Sequence, residues 1–333
     1  MPQELIDHDA VRRWLDEHGL GEGLPLQVEP LSNGRSNIMV SLCRGDQRWV
    51  LRRPRRVAVD RADDLMRREF RLLTALQSTA VPHARAIALC ENTSLMGCVF
   101  YVMAHVEGFN PAGPLPAPLD GAKVQVAHAM IDALAELHEV DWCTAGLTKF
   151  GKPDGFHQRQ VSRWLGQFDS YGGRDLPELR QVAFWLTERV PSEYEPAIMH
   201  GDYHVLNVIM APNAPARVPA IVDWETATIG DPLLDAVGFL EVYRQACSPE
   251  QGWPDDVALW ERYARATGRT ARTADATAYY VALYNFRMAV LMEGIYQRSL
   301  NDSTQAPAEE VAERVTMCIQ RALTAVAQAR AAR

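Results

Sequence analysis

The first part of the chain alternates apolar and polar positions, a pattern that is typical of β-strands. Residues 27–54 alternate in this way around a Gly45-Asp46 turn, which predicts antiparallel strands. Apolar runs predict further strands over 84–90 and 98–106. A helical spacing of leucines over 61–77 predicts one helix packed against this sheet. The first hundred residues are therefore predicted to form a small, twisted, five-stranded α+β lobe.

Acidic residues are placed to cap the helices of this lobe. Asp9 precedes a short apolar-periodic segment over 10–18, and Asp60 precedes the helix over 61–77. An Asp side chain at an N-cap accepts hydrogen bonds from the otherwise unpaired amides of the first turn. Both aspartates are therefore predicted to be N-caps.

The rest of the chain is predicted to be mainly helical. Four prolines within 108–120 disfavour helix and strand there and predict a stiff connector. An apolar stripe over 122–140 then predicts an amphipathic helix of about five turns. Only short β-like runs between 197 and 224 interrupt the later helical patterns, which cover 160–170, 177–190, 235–247, 256–267, 275–298 and 307–332. We place the boundary between a sheet-containing domain, 1–106, and a helical domain, 107–333.

Length, charge and cysteine content limit the possible functions. A chain of 333 residues exceeds the size at which a single core stops growing, about 250–300 residues, so two lobes are expected. A formal charge of −8 argues against nucleic-acid binding, which needs a basic face. Six scattered cysteines without a CxxC pair predict a cytoplasmic location. The N-terminus is acidic, and no apolar run reaches eighteen residues, so the chain is predicted to be neither secreted nor inserted into a membrane.

Three oxygen-bearing side chains follow β-like runs in the motifs "MHGDYHVLNVIM" and "AIVDWETATIGDPLLD". Asn207 and Asp223 offer the hard oxygen ligands that Mg²⁺ prefers, and they are predicted to bind this ion. Asp202 lies ahead of Asn207 on the same loop, where a carboxylate could accept the proton of an acceptor hydroxyl. The spacing therefore predicts a base and a metal site that converge on one pocket.

The alternatives for these residues are a zinc site and a set of unrelated turns. His200 and His204 are four residues apart, a spacing that binds zinc when both face one side of a helix. Gly201 and the β-like flank favour a loop instead. Alternatively, Asp202, Asn207 and Asp223 are three unrelated turn or cap residues without a chemical role.

The motifs "HGDYHVLN" and "IVDWE" resemble the catalytic and metal loops of the aminoglycoside phosphotransferase and choline kinase families, which are relatives of protein kinases. The order of "LSNGRSNIMVSL", "RWVLRRP" and "RREFRLL" ahead of them is similar as well, so the likeness covers most of the chain. It implies a protein-kinase-like, two-lobed α+β fold with a small antiparallel-sheet N-lobe and a larger, mainly helical C-lobe. It also implies ATP as co-substrate, Mg²⁺ as cofactor and a small-molecule acceptor with a free hydroxyl.

The resemblance also implies roles for individual residues. Asp202 would be the catalytic base and His200 a support of its loop, with Asn207 and Asp223 as metal ligands. Arg52 stands where relatives have the phosphate-contacting Lys, and Glu69 would pair with it. The remaining nucleotide contacts would come from the loop residues Gly34, Ser36 and Asn37 and from Met103, Ala104 and Val106 beside the adenine.

Several alternatives stay open within this resemblance. Glu69 on a solvated helix face is the alternative to its pairing with Arg52. Tyr284, Arg287 and Tyr296 lie where relatives form the acceptor pocket, although an aromatic core stripe explains the same spacing. Asp231 and Asp235 are predicted to be structural supports.

The acceptor and the class of activity also have alternatives. The motifs "YVMAHVEGF" and "LAELHEVD" make the likeness greatest to the kinase-like domain associated with acyl-CoA dehydrogenases, which implies a hydroxyacyl-CoA acceptor. An aminoglycoside or another antibiotic is the alternative acceptor. Arg52 in place of Lys, Leu206 in place of Gly and the single glycine Gly34 leave open a nucleotide-binding pseudokinase or regulatory module.

Overall fold

A computed structural model describes residues 6–32, 37–55, 61–270, 274–300 and 308–332 of the chain. The chain divides into two compact units, and each of them is built from separate stretches. The first unit comprises Met1–Ala122, Asp141–Phe150 and Leu206–Glu225, and the second comprises Lys123–Val140, Gly151–Val205 and Thr226–Arg333. The predicted division after Val106 treats each domain as one continuous stretch, whereas the observed units interleave along the sequence.

The first unit contains a five-stranded antiparallel sheet. Its strands are β1 Gln27–Ser32, β2 Asn37–Arg44, β3 Gln47–Pro54, β4 Ala86–Cys90 and β5 Phe100–Ala104, arranged in the order β1-β2-β3-β5-β4. Arg44 pairs with Gln47 across the predicted Gly45-Asp46 turn, where Gly45 has a φ of 56°. A two-residue hairpin loop needs such left-handed backbone, which glycine adopts without strain.

Two helices accompany this sheet, α1 at His8–Glu17 and α2 at Ala62–Leu76. The helix predicted over 10–18 is present as α1, and it packs in the core of this unit as well, because Trp14 and Leu15 are buried with Leu42 and Phe100 in one apolar cluster. Asp7, rather than the predicted Asp9, caps α1 and accepts from the Ala10 amide at 2.9 Å. Asp60, the predicted cap of α2, lies outside the described residues.

The remainder of the first unit contains a short ladder formed by β7, Val208–Ile209, and β8, Ala220–Ile221. Phe109 of the proline-rich connector forms an antiparallel bridge with Met210 beside this ladder. The connector itself holds only a single 3₁₀ turn over Ala117–Leu119, as the proline content predicts.

The second unit is mainly helical. Its helices are α3 Lys123–His138, α4 Phe156–Ser170, α5 Pro177–Thr187, α6 Leu233–Ala246, α7 Asp256–Thr267, α8 Ala274–Ser299 and α9 Ala308–Ala331. Helix α4 begins four residues ahead of the prediction, and the other ends differ by smaller amounts. Two three-residue strands, β6 Ala197–Met199 and β9 Thr228–Gly230, pair antiparallel. The predicted α+β class, with a small antiparallel sheet and a mainly helical remainder, is confirmed.

None of the described helices combines the length with the apolar character that crossing a lipid bilayer requires.

Candidate active site

A buried ion pair joins the middle strand of the first unit's sheet to helix α2. The Arg52 Nε lies 2.8 Å from Glu69 Oε2, and Arg52 Nη2 donates to Glu69 Oε1 at 2.9 Å. The Tyr101 hydroxyl, from the neighbouring strand β5, also donates to Glu69, at 2.9 Å. Arg52 is 5% exposed and Glu69 is 2% exposed, so the predicted pairing is present and the solvated-face alternative for Glu69 is wrong.

The same guanidinium extends toward the DWE motif. Arg52 Nη2 donates to Asp223 Oδ1 at 2.9 Å and lies 3.7 Å from Glu225 Oε2. Asn37, at the start of β2, donates to Glu225 Oε2 at 3.1 Å. Arg52 therefore contacts three carboxylates, whereas the sequence predicted only the contact with Glu69.

These contacts keep Arg52 charged. Burial alone would lower the pKa of Arg52, but the interactions with Glu69, Tyr101 and Asp223 outweigh burial and raise it. Burial raises the pKa of Tyr101 well above its usual range, so the hydroxyl remains a hydrogen-bond donor. A guanidinium held by carboxylates on two sides is a fixed positive charge at this position of the sheet.

Replacement of Glu69 by Ala is expected to lower the free energy of unfolding by about 3–5 kcal/mol, because the buried Arg52 loses its bidentate partner. Glu91 provides a matched control, since it pairs with Arg67 of α2 at 2.8 Å while both side chains are exposed. We expect Glu91→Ala to cost at most about 1 kcal/mol. Chemical denaturation of both variants measures the difference, and equal losses would contradict the assignment of a buried, structurally coupled pair.

The two predicted metal ligands lie at one end of the β7–β8 ladder. The Val222 amide donates to the Asn207 carbonyl at 2.9 Å, and Asp223 follows directly. Asp223 has a φ of 67°, a left-handed conformation that is unfavourable for a residue with a side chain and that often marks functional sites. Its carboxylate oxygen lies within 4.8 Å of oxygens of Glu69 and Glu225.

This donor set fits a divalent cation such as Mg²⁺, which takes oxygen ligands. Asp223 and Asn207 would hold the ion, and Glu225 is a further carboxylate that the sequence analysis did not assign. The motif "DWE" could have indicated it, because this Glu lies only two residues after the Asp that was predicted to bind the metal. In the structure the Arg52 guanidinium bonds to Asp223, so metal binding has to compete with a cation of the chain itself.

The remaining predicted nucleotide contacts are distributed over the first unit. Met103 and Ala104 end strand β5, and the Ala104 amide donates to the Arg85 carbonyl at 2.9 Å, which removes this amide from the groups available to a nucleotide. Val106 lines a cavity of about 510 Å³ together with Arg48, His105 and Phe109. Gly34 and Ser36 lie outside the described residues.

Asp202 and His200 belong to the second unit and follow strand β6. We call residues 200–202 the HGD loop. The amides of His200 and Gly201 donate to Asp235 at 2.6 and 3.0 Å, and the Thr226 hydroxyl donates to the His200 carbonyl at 2.9 Å. These bonds fix the backbone of the HGD loop.

Gly201 is required in this loop on steric grounds. It has a φ of 82°, and a Cβ there would lie 2.6 Å from the Thr226 carbonyl oxygen. No side chain fits that approach without a backbone shift.

The Asp202 side chain is half-exposed, and its surroundings favour the ionised carboxylate. Burial raises the pKa of Asp202, but the interactions with His204, Arg287 and His200 outweigh burial and lower it. His204 Nε2 lies 3.6 Å from Asp202 Oδ2. Asp202 therefore remains an ionised carboxylate throughout the neutral range, as a base must be.

The alternative zinc site is not formed. His200 is fully buried, and its Nδ1 accepts the Asp202 amide at 3.3 Å. Within the described part of the chain, the only set of three or more carboxylate, imidazole or thiol groups whose ligand atoms lie within 4.8 Å of one another is that of Glu69, Asp223 and Glu225.

The predicted structural aspartates have the expected role. Asp235 holds the HGD loop and lies 3.6 Å from His138 Nε2. Asp231 accepts from the Leu233 amide at the start of α6, from the Tyr280 hydroxyl at 2.7 Å, and lies 2.8 Å from His157. Both carboxylates thus satisfy buried donors, as burial of a charge requires.

The three residues of the predicted acceptor pocket are divided. Tyr296 lies under the guanidinium of Arg174, 4.1 Å from ring centroid to Cζ, within an ion pair of Arg174 with the buried Glu293. Arg287 instead reaches the HGD loop, and Tyr284 packs against Gly238 of α6. Packing therefore accounts for Tyr296, while a contact of Tyr284 with an acceptor stays a prediction.

The convergence of Asp202 with Asn207 and Asp223 on one pocket also stays a prediction. Asp202 belongs to the second unit, whereas Asn207 and Asp223 belong to the first.

A model of the phosphotransferase enzyme family matches residues 27–278. Human acyl-CoA dehydrogenase family member 11 is 31% identical over 326 residues, which cover 92% of this chain and 41% of the human protein. The chain thus spans about two-fifths of the length of the relatives with this name.

Solved structures share the fold. A Ralstonia eutropha protein, provisionally assigned as an aminoglycoside phosphotransferase, is 29% identical with a TM-score of 0.82, covering 98% of this chain and 99% of its own. The GDP complex of aminoglycoside 2'-phosphotransferase-IIIa has a TM-score of 0.63 at 18% identity, covering 90% and 94% of the two chains. The predicted protein-kinase-like fold is therefore confirmed, as is the resemblance to the aminoglycoside phosphotransferases and to the acyl-CoA dehydrogenase-associated domain.

Proposed function

Because this chain belongs to the phosphotransferase enzyme family, we propose that it is a kinase that transfers the γ-phosphoryl group of ATP to a hydroxyl of a small molecule. The observation that carries the proposal is the buried pair of Arg52 on β3 with Glu69 on α2. In protein kinases a cation on the third strand, paired with a Glu of the following helix, positions the nucleotide phosphates. Arg52 and Glu69 stand in these places.

Arg52 would contact the phosphates of the nucleotide. A guanidinium binds phosphate through two parallel N–H groups, which an ammonium cannot do. Its bonds to Glu69 orient the group, and its bond to Asp223 is the one that phosphate binding would replace. Phosphate and Asp223 are both anions, so the exchange preserves the neutralisation of Arg52.

Asn207 and Asp223 would hold Mg²⁺, and Glu225 is placed to assist them. Bound Mg²⁺ neutralises negative charge on the transferring phosphoryl group. Asn37 donates to Glu225 through its side-chain amide, which supports a role for this predicted nucleotide residue in holding the carboxylates.

Asp202 would act as the base. In the transfer, the acceptor hydroxyl oxygen bonds to the γ-phosphorus, the bond from phosphorus to the ADP oxygen breaks, and the hydroxyl proton passes to the Asp202 carboxylate. His200 would support the position of Asp202 indirectly. Its ring nitrogen accepts a hydrogen bond from the Asp202 amide, and its own amide donates to Asp235.

For the acceptor we propose a hydroxyacyl-CoA thioester. The support is the match to relatives named as acyl-CoA dehydrogenase family members 10 and 11, within which the matching region occupies about two-fifths or less of the chain. An aminoglycoside is the alternative acceptor, and the similarity to the Ralstonia eutropha structure favours it. The negative net charge of the chain is compatible with a cationic antibiotic but describes the whole surface and not one pocket.

A nucleotide-binding module without transferase activity is the second candidate function. The contact of Arg52 with Asp223 favours it, because this contact engages a predicted metal ligand. The presence of Asp202, Asn207 and Asp223 together favours the kinase instead, since a module that only binds nucleotide needs no base.

The proposed function is tested by measuring nucleoside diphosphate release from Mg·ATP and Mg·GTP in the presence of hydroxyacyl-CoAs, aminoglycosides, macrolides and choline. Release that depends on one acceptor class, and that produces the phosphorylated acceptor by mass spectrometry, is the expected result. Nucleotide binding without release on any acceptor would favour the module.

A further inference from the structure

The HGD loop is in contact with helix α8 of the same unit through one cationic side chain. The Arg287 Nη2 group donates to the carbonyl oxygen of Gly201, the residue directly before Asp202. The guanidinium carbon also lies 5.5 Å from the centre of the Trp164 ring on α4. Arg287 is thus held on one side by an aromatic face while it binds the loop on the other.

The bonds of Asp235 and Thr226 do not engage the Gly201 carbonyl. They engage the amides of His200 and Gly201 and the carbonyl of His200. The Gly201 carbonyl belongs to the peptide that joins Gly201 to Asp202, so its orientation determines where the Asp202 side chain starts. Arg287 supplies the hydrogen bond to this carbonyl, and a charged donor makes such a bond stronger than a neutral one.

We infer that Arg287 is a positioning residue for Asp202: by holding the Gly201 carbonyl it fixes the peptide from which the carboxylate projects. The inference rests on the proposed function only in assigning Asp202 as the base. The contact of Arg287 with Gly201 does not depend on that assignment, because it is observed within the second unit whatever the role of Asp202.

The charge of Arg287 supports the same role. Besides burial, the groups that act on Asp202 are His204, Arg287 and His200, each of which lowers its pKa. Tyr284 lies one turn before Arg287 on α8. Burial raises the pKa of its hydroxyl, and the nearby charge of Asp202 raises it further. Loss of the guanidinium therefore removes a cation from Asp202 as well as a hydrogen bond from its loop.

The chain offers a matched control for the Arg287 variants. Arg163 on α4 lies over the same Trp164 ring, 5.3 Å from its centre, and its side chain is exposed. Arg163→Met removes an arginine from that ring without touching the HGD loop. Arg287→Met removes both the charge and the loop contact, while Arg287→Lys keeps the charge and loses the planar fork.

The experiment measures two quantities in these variants. The first is steady-state transfer, for which we expect Arg287→Met to lower kcat by about 10- to 100-fold, because small displacements of a catalytic group have effects of this size. The KM for ATP should not change, and Arg287→Lys should lose less activity than Arg287→Met. Arg163→Met should match the unmodified protein.

The second quantity is the ionisation of Asp202, read from the ¹³C carboxyl signals of aspartate-labelled protein and identified by its absence in Asp202→Asn. We expect the Asp202 signal to titrate at higher pH in Arg287→Met and to stay unchanged in Arg287→Lys and Arg163→Met. This readout needs no turnover, so it decides the inference even if the protein phosphorylates none of the acceptors. Wild-type-like kcat or an unmoved Asp202 titration in a folded Arg287→Met protein would overturn the inference, and absence of transfer in the unmodified protein would overturn only the proposed function.

Discussion

Replacing Asp202 by Asn is expected to lower kcat for phosphoryl transfer by about 10²- to 10⁴-fold, the range that general base catalysis contributes. The carboxamide keeps the size of the side chain and cannot accept the proton of the acceptor hydroxyl. Nucleotide affinity should be unchanged, because the residues that we assign to the nucleotide belong to the first unit. Steady-state kinetics with the identified acceptor, together with calorimetric titration of ATP, separates the two effects.

The control for this variant is Asp154→Asn, which removes an exposed aspartate from the same unit. It should have the kcat of the unmodified protein. The assignment of Asp202 as base would be wrong if Asp202→Asn retained transfer within a factor of a few. A parallel loss of ATP affinity would instead assign Asp202 to nucleotide binding.

Replacing Asp223 by Asn is expected to abolish most of the effect of Mg²⁺ on nucleotide binding. Loss even of a supporting group around a metal lowers metal affinity by about 10- to 100-fold, and loss of a ligand should cost at least as much. The substitution also removes the charged partner of Arg52 at 2.9 Å. In metal-free buffer the Asp223→Asn protein should therefore bind ATP at least as tightly as the unmodified chain, since its guanidinium is more available to phosphate.

Calorimetric titrations of ATP, with Mg²⁺ and with a chelator, measure both parts of this prediction. Asp46→Asn, an exposed position in the β2–β3 turn, is the control and should retain the full response to Mg²⁺. An undiminished Mg²⁺ response in Asp223→Asn would remove Asp223 from the metal site. Weaker binding without metal would show that Asp223 does not restrain Arg52.

Local features of the fold were predictable from the sequence, whereas contacts between distant segments were less so. The β2–β3 hairpin follows from Gly45 and from the alternation around it, because both signals lie within a few residues. The cap of α1 was misplaced by two residues, since Asp7 and Asp9 offer the same side-chain oxygen and only the backbone geometry at Asp7 distinguishes them. Strand β9 was missed because three residues give too short a pattern.

The candidate site shows the same division. The order of the motifs was sufficient to pair Arg52 with Glu69, which are seventeen residues apart. The bond of Arg52 to Asp223, across 171 residues, had no local signal. The same is true of Arg287 and Gly201, because hydrophobic periodicity places Arg287 on α8 but does not specify what its guanidinium reaches.

The structure indicates how the chain positions its charged groups. Arg52 is held by Glu69 inside the first unit, and the HGD loop is held by Asp235 and Thr226 inside the second. Phosphoryl transfer depends mostly on positioning and electrostatic stabilisation, so such positioning is the contribution that a protein makes to this reaction.

The most direct test of the proposed kinase activity follows the phosphoryl group itself. The unmodified protein is incubated with [γ-³²P]ATP, Mg²⁺ and each acceptor of the panel, and the products are separated beside those of Asp202→Asn and Asp223→Asn. We predict that label passes to an acceptor of one class, with hydroxyacyl-CoA first among them, and that both variants transfer almost none. Tight ATP binding by the unmodified protein, with all label remaining in ATP for every acceptor, would contradict the proposal and favour a nucleotide-binding module.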